Sequence, residues 1–433
     1  MNLLTISLTF IILLILFLGG SVWIFASLAL VGFGSFYLFT DLPFGSILAN
    51  IFWNNTSGAA MMALPLFVFM GEILFKSKIS ENLFNGLCPW MDAIPGRLIH
   101  VNILACSLFA AISGSSAATT ATVGKITIPE LNRRGYDKSL SIGSLAGSGT
   151  LGFLIPPSMM MLVYGMIAEV SIGKLFIAGF IPGFILALMF STYTIIRCLN
   201  NQNIAPAGKA HYSWRERIQA IPLLAPVIIL IFIVLGSIYM GWATPTEAAA
   251  VGVAGALFFA LLTRGLNWEA FKTALMGSVK TSCMIMAIVC GAAYLSVAAS
   301  YLGITRSLTE YVGFLNLSPY TFIVILSIMY IGLGCLVDGF SMIVMSTPIA
   351  LPLVIAAGFD PLWFGIYLVL MIQLAQITPP VGFNLFVINN LTGDDLWTIS
   401  KAALPFFIML CIGTALITFF PKIVLFLPST MIR

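Results

Sequence analysis

The chain has 433 residues, of which 60% are hydrophobic and 8% charged, with a formal net charge of +4. A soluble domain carries about 25% charged residues, so there is too little polar surface here to cover a water-soluble globule, and the chain reads as a polytopic membrane protein. No block of basic residues is interleaved with aromatics, which excludes a nucleic-acid surface as the reason for the small positive balance.

The first 20 residues are apolar but lack a basic leading segment and an Ala-x-Ala site, so they predict a membrane helix rather than a cleaved signal. Runs that can span a bilayer, about 17–25 residues, fall near 2–20, 21–40, 47–76, 175–199, 216–240, 246–263, 273–301 and 402–427. Between them lie two regions, 100–168 and 318–392, that are apolar but repeatedly interrupted. The first breaks at Ser113-Gly114-Ser115-Ser116, again at Gly147-Ser148-Gly149-Thr150, and ends in Ile155-Pro156-Pro157. The second breaks at Val337-Asp338-Gly339-Phe340-Ser341 and at Ile377-Thr378-Pro379-Pro380. Gly- and Pro-broken apolar segments at corresponding places in two halves point to a transporter's binding site. Hydrocarbon tolerates freed backbone groups only where protein buries them or a polar cavity receives them.

Residues 200–215 form a polar linker that divides the chain, and the halves share a spacing. Pro129 and Pro352 stand 223 apart (352 − 129 = 223), and the same offset relates Gly135-Tyr136-Asp137 to Gly358-Phe359-Asp360 and Pro156-Pro157 to Pro379-Pro380. Three gap-free coincidences at helix breaks predict an internal repeat. Charge gives the relative orientation. The first turn, Asn132 to Lys138, is basic, whereas Ala356 to Pro361 holds no Lys or Arg. By the positive-inside rule the first turn is cytoplasmic and the second is not, so the repeats are inverted. Arg197, Lys209, Arg215 and Arg217 of the linker region, Arg264 and Lys272, and Lys76 and Lys78 fit this scheme; Arg306 does not. Both termini then lie outside. Each broken region reads as a re-entrant hairpin followed by an unwound helix. The hairpins tip at 113–116 and 337–341 and return to about 134 and 358; the helices unwind near 147–157 and 373–380.

Half-helices that end at the midplane leave terminal N–H and C=O groups unpaired. Their C-terminal ends and freed carbonyls suit a small hard cation such as Na⁺, and their N-terminal ends suit a carboxylate. If the first hairpin and its unwound helix hold a cation through Ser113, Ser115, Gly152, Ile155 and Pro157, the offset carries the set to Leu336, Asp338, Ala375, Thr378 and Pro380, mostly as backbone carbonyls. Asp338 is the acid placed at a hairpin tip, and an intramembrane acid is a functional hypothesis by default; Asp is also a good helix cap, and the two roles are compatible. Ser116, Gly339, Ser341 and Asn384 are the candidate substrate contacts, with Gln376 beside them. Glu247, after Pro245, suits an N-terminal cap, and Glu72 suits a helix pair with Lys76. The seven cysteines lack metal-ligand spacing and read as packing residues. With two histidines, His100 and His211, neither in an apolar run, a metal centre or a catalytic triad is not expected.

At these residues the chain resembles the large membrane (M, DctM-like) subunit of the tripartite ATP-independent periplasmic (TRAP) transporters. The likeness runs through Met70-Gly71-Glu72, Phe109 to Thr119, Ile128-Pro129-Glu130-Leu131, Arg134 to Asp137, Gly152 to Ser158, Gly241 to Ala249 and Thr378 to Gly382, and covers nearly the whole chain. It implies an all-α membrane protein of inverted repeats, with two re-entrant hairpins and two unwound helices, working as an elevator. The transport domain is then 100–168 plus 318–392, and the scaffold is 1–99 plus 169–317, with 393–433 a C-terminal helix. It implies Na⁺ as coupling ion, with a first site at Ser113, Ser115, Gly152, Ile155 and Pro157 and a second around Asp338 and Thr378. It also implies a small four-helix membrane partner, expected as a separate chain, and a periplasmic substrate-binding protein in a bacterial inner membrane. The substrate expected is an organic acid, with sialic acid favoured. A stand-alone Na⁺/dicarboxylate symporter and, remotely, an intramembrane enzyme are the competing readings; the enzyme would need a nucleophile–base pair or metal motif that the sequence lacks.

Overall fold

In the computed structural model, residues 3–20, 22–206, 212–315, 317–335, 337–379 and 382–431 are described. Among them the regular structure is helical. In chain order the helices are α1 (Leu3–Gly19), α2 (Ile24–Phe39), α3 (Phe44–Ser57), α4 (Ala59–Lys76), α5 (Ile79–Met91), α6 (Leu98–Ser113), α7 (Ser116–Arg133), α8 (Lys138–Thr150), α9 (Met159–Ile167) and α10 (Ile172–Asn200). The second half holds α11 (Trp214–Tyr239), α12 (Pro245–Leu262), α13 (Trp268–Tyr301), α14 (Ile304–Phe314), α15 (Pro319–Gly334), α16 (Gly339–Ala356), α17 (Pro361–Gln376), α18 (Phe383–Thr392), α19 (Leu396–Phe419) and α20 (Lys422–Ser429). Six of them, α10, α11, α12, α13, α16 and α19, are long and apolar enough to cross a membrane.

Local chemistry sets many of the boundaries. Ser115, Asp137, Ser158, Ser171, Ser318, Asp338, Asp360 and Asp395 sit at N-caps and accept backbone N–H groups that each helix start would otherwise leave unpaired. Thr244 and Glu247 close a reciprocal capping box at the start of α12, which settles Glu247 in the capping role. Proline opens α12, α15 and α17, where its missing N–H costs nothing.

The helices pack in two groups. α2 and α4 lie against α13, α4 against α12, and α11 against α5 and α12. In the other group α6, α7 and α8 pack together, α18 lies on α7, α9 on α16, and α15 and α16 on α17. α10 and α19, read from sequence as a scaffold helix and a separate C-terminal helix, pack on each other, and both also on α8 and α17. α8 and α17 form the centre: every residue from Leu140 to Thr150 and from Leu362 to Gln376 is buried. Helices that are apolar and buried all round belong in a core rather than at a surface. Trp363 is fully buried there, and its indole N–H donates to the Ile417 carbonyl at 2.9 Å, so the ring's polar edge is satisfied.

The expectations are corrected at several points. The run 47–76 bends by 52° at Gly58 into α3 and α4. The run 402–427 ends at Phe419, and α20 follows Pro421. Gly147 to Thr150 is helical: the missing side chains there permit close packing, with Phe406 over Gly147 and Thr120 over Gly149, and the helix opens only after Thr150. In the second half the helix likewise persists to Gln376, and at the second tip α15 ends at Gly334 and α16 starts at Gly339. Two helices were unforeseen, α5 and α14. In α14, Arg306 forms an i,i+4 pair with Glu310 at 2.9 Å on an exposed face. Glu72 forms no ion pair with Lys76 among the described residues, and its carboxyl lies against Gly277 of α13.

The offset seen in the sequence recurs in the helix limits. α7 and α16 begin 223 apart (339 − 116 = 223) and end 223 apart (356 − 133 = 223), and α8 and α17 begin at the same separation (361 − 138 = 223).

Candidate functional site

The first hairpin is α6 and α7. Gly114, at φ +59°, turns the chain, and its N–H closes on the Ala110 carbonyl at 3.1 Å. A side chain is disfavoured in that left-handed conformation. There is also no room for one, because a Cβ on Gly114 would stand 2.8 Å from the Pro157 carbonyl oxygen. Ser115 caps α7 through Oγ, which accepts the Ala118 N–H at 3.4 Å. Ser113 Oγ accepts the Ser115 N–H at 3.3 Å and pairs with Thr119 Oγ1 at 3.0 Å. A Cβ on Gly152 would come within 3.1 Å of the Ser115 carbonyl carbon and oxygen. The tip is thus pressed onto the opened segment after α8, with Ser113, Ser115, Gly152 and Pro157 brought together. Ile155 lies in the same segment; its N–H reaches the Leu151 carbonyl at 2.9 Å, and its side chain packs towards Gly183 of α10.

The second hairpin, α15 and α16, meets the opening after α17 in the corresponding way. Gly334 lies so close to Ala375 that an added Cβ would stand 2.0 Å from the alanine's own, and Cys335 Sγ reaches the Pro379 carbonyl at 3.5 Å. Asp338 caps α16: Oδ2 accepts from the N–H groups of Phe340 at 3.0 Å and Ser341 at 3.4 Å, and Ser341 Oγ donates to Oδ1. Thr378 donates through Oγ1 to Leu374 at 2.6 Å, and its carbonyl accepts the Gly382 N–H at 2.9 Å. Of the second cation set, Ala375 lies against the tip at Gly334, Asp338 caps the returning helix and Thr378 stands beside Pro379 in the opened segment, while Leu336 and Pro380 lie outside the described residues.

The four candidate substrate residues fall into two pairs. Ser116 and Asn384 are both fully buried and exchange hydrogen bonds, Ser116 Oγ to Asn384 Oδ1 at 3.0 Å and Asn384 Nδ2 to Ser116 Oγ at 2.7 Å. Gly339 and Ser341 flank the Asp338 cap, with Gly339 against Ile372, Met160 and the Gln376 amide. Near the two junctions lie further polar atoms; of the residues that carry them, Gln376 was read from the sequence as a candidate and Thr120 and Gln373 were not. Thr150 Oγ1 meets Gln373 Oε1 at 3.4 Å. These residues are themselves 223 apart, so the offset could have found them. Thr120 Oγ1, Gln373 Nε2 and Gln376 Oε1 are buried and make no hydrogen bond among the described residues. Buried polar atoms without partners are uncommon and call for an ion, a water or a ligand.

At the far end of α7, outside the apolar spans, hydrogen bonds from Arg133 and Arg134 hold the Glu130 carboxyl below the usual carboxylate range. A cavity of about 1120 Å³ opens at the opposite end of the bundle, bordered by Asn54, Glu169, Lys174 and Thr244. It shares no residue with either candidate cation set.

Six apolar spans around broken helices and paired hairpin tips define a multi-pass membrane transporter. The fold is similar to that of the YdaH transporter of Alcanivorax borkumensis, with a TM-score of 0.56 and 14% identity over 91% of this chain and 88% of that one. The profile of the tripartite ATP-independent periplasmic transporter DctM component matches residues 10–423, and the chain belongs to that family. It is 34% identical to the C4-dicarboxylate TRAP transporter large permease protein DctM of Pseudomonas aeruginosa, over 93% of this chain and 94% of that protein. It is 30% identical to the sialic acid TRAP transporter large permease protein SiaM of Vibrio cholerae, over 85% and 86% of the two chains. The chain is thus the large permease of a TRAP transporter, and the enzyme reading falls away.

Proposed function

We propose that this permease imports an organic acid by Na⁺ symport, with two cation sites formed where each hairpin tip meets an opened helix. The observation that carries the proposal is the contact of the Gly114–Ser115 tip with Gly152 and Pro157, repeated by Gly334 and Cys335 with Ala375 and Pro379. At both places backbone carbonyls gather at membrane depth. That arrangement suits a hard cation, which takes neutral oxygen ligands. Ser113, Ser115, Gly152, Ile155 and Pro157 hold the first ion, mostly through carbonyls, and the junction of Asp338, Ala375 and Thr378 holds the second.

The hairpin group moves as an elevator against the group of α2, α4, α5 and α11–α13, in a bacterial inner membrane with the basic turn at Arg133–Arg134 cytoplasmic. The repeats are then inverted. The absence of Lys and Arg from Ala356–Pro361, opposite in character to the basic turn after α7, supports this. A periplasmic binding protein delivers the substrate on the side of the 1120 Å³ cavity, and a small membrane subunit completes the complex. Sialic acid and C4-dicarboxylates are the substrates to try first, since relatives named for each match at comparable identity.

The test is uptake of labelled sialic acid and labelled succinate into proteoliposomes holding this chain and its small partner, with and without the binding protein and an inward Na⁺ gradient. Uptake that needs both supports the proposal. Uptake without the binding protein shows a stand-alone symporter, and uptake indifferent to Na⁺ removes the cation sites.

A further inference from the structure

We infer that the Ser116–Asn384 pair links the two cation sites and makes Na⁺ binding cooperative. The inference rests on the Na⁺ reading above and adds to it a coupling element that neither site contains.

The positions of the two residues carry the argument. Ser116 follows Ser115 directly, so it is fixed to the first tip. Asn384 stands in the first turn of α18, two residues after Gly382, whose N–H holds the Thr378 carbonyl at 2.9 Å. A chain separation of 268 residues is closed by two hydrogen bonds of 3.0 and 2.7 Å between fully buried side chains. Both side chains are fully buried, so breaking the pair leaves buried donors and acceptors unsatisfied. A shift of the first tip is therefore felt at the second opened segment.

The surroundings make the link stiff. Gly149 brings α8 against Thr120 of α7, with the Asn384 amide beside it, and Gly124 of α7 packs between Leu145 and Leu391 of α18. Lys138 at the start of α8 holds Asp394, just past α18, at 2.6 Å. α18 is thus tied to the first hairpin and its partner helix at both ends, although it follows the second opened segment in the chain. The arrangement is not repeated by the pseudo-symmetry. At the offset of 223, Ser116 corresponds to Gly339 and Asn384 to Met161, which cannot form such a pair. The pair is therefore a cross-link that the pseudo-symmetry does not duplicate. An ion that orders either junction reduces the cost of ordering the other, which is positive cooperativity.

The experiment measures thermal stabilisation of the purified full chain against Na⁺ concentration, with choline chloride holding ionic strength constant. The intact chain should respond steeply, with a Hill coefficient approaching two. Ser116→Ala and Asn384→Leu, each alone, should bring the coefficient to about one and raise half-saturating Na⁺ by roughly 5–50-fold, within the usual range of coupling. The exchange Ser116→Asn with Asn384→Ser should recover part of the steepness by restoring a pair. A merely structural role would lower the melting temperature of the single variants while leaving the coefficient unchanged, and that result overturns the inference. A coefficient of one in the intact chain overturns it as well. An intact chain that does not respond to Na⁺ defeats the cation reading itself, and so the two failures are distinguishable.

Discussion

The two hairpin tips meet the same need with different charge. Each must end one helix and start another, and each does so with an extended N-cap residue, Ser115 in the first and Asp338 in the second, at positions 223 apart. Ser115 offers a hydroxyl to one N–H, whereas Asp338 offers a carboxylate to two N–H groups and a serine hydroxyl. Two small residues near the tips also exchange places. Ala111 and Gly152 in the first half correspond to Gly334 and Ala375 in the second, one glycine and one alanine at each. A shared backbone plan therefore holds two chemically different junctions, and we expect the second to carry more of the charge compensation for a bound cation.

Adding a methyl group at each glycine breaks that comparison most severely. In Gly334→Ala the new Cβ would stand 2.0 Å from the Ala375 Cβ, which has no rotamer to yield, so the second tip must lift. Overpacking of this kind costs about 1–3 kcal/mol, and uptake should be lost. In Gly152→Ala the nearest atoms are at 3.1 Å, and a shift of a few tenths of an ångström relieves them, so Na⁺-dependent uptake should be reduced but measurable. Equal activity in the two variants would show that tip contact is not what the junctions need.

Next in size is Asp338. Asp338→Ala removes cap and charge together, and half-saturating Na⁺ for uptake should rise about tenfold, equivalent to about 1.4 kcal/mol. Asp338→Ser gives the second tip the first tip's cap. If the carboxylate serves only as a cap, this variant restores normal Na⁺ dependence; if the charge compensates a cation, the dependence stays shifted. Ser115→Ala should do less. It loses a cap worth about 1 kcal/mol, seen as a lower melting temperature, but it keeps the carbonyl that the cation site uses, so Na⁺ dependence should move by less than it does in Asp338→Ala.

Much of this asymmetry was legible in the sequence, because the tips are made of residues with few other uses. Ser-Gly-Ser-Ser and Asp-Gly-Phe-Ser inside apolar runs admit little but a break with a cap, and proline pairs prevent the next helix from continuing. The glycines misled where they serve packing. Gly147 and Gly149 look like a helix end, yet they sit within α8 because Phe406 and Thr120 need the space, and this is set by a helix more than 250 residues away as much as by α7. α5 and α14 escaped notice because short amphipathic segments interrupted by polar residues resemble loops until a neighbouring helix covers one face. The offset relates Thr150 to Gln373, but that the two touch needed the structure, because an offset gives equivalence and not contact.

The smallest expected effect concerns the tie between the halves rather than the tips. Lys138 and Asp394 join the start of α8 to the end of α18 at 2.6 Å, with the lysine side chain 56% exposed and the aspartate 18%. Exposed pairs contribute about 0.2–1 kcal/mol and weaken with salt, so Lys138→Met should leave the melting temperature nearly unchanged at high ionic strength and lower it slightly at low. The comparison with Ser116→Ala is what gives the variant its value, since both cut a bond between α18 and the first hairpin's neighbourhood. If buried coupling at the tips carries communication between the halves, Lys138→Met keeps the steep response to Na⁺ and Ser116→Ala does not. Loss of steepness in Lys138→Met would place the coupling in the rigid docking of α18 as a whole, with the Ser116–Asn384 pair one contact among several.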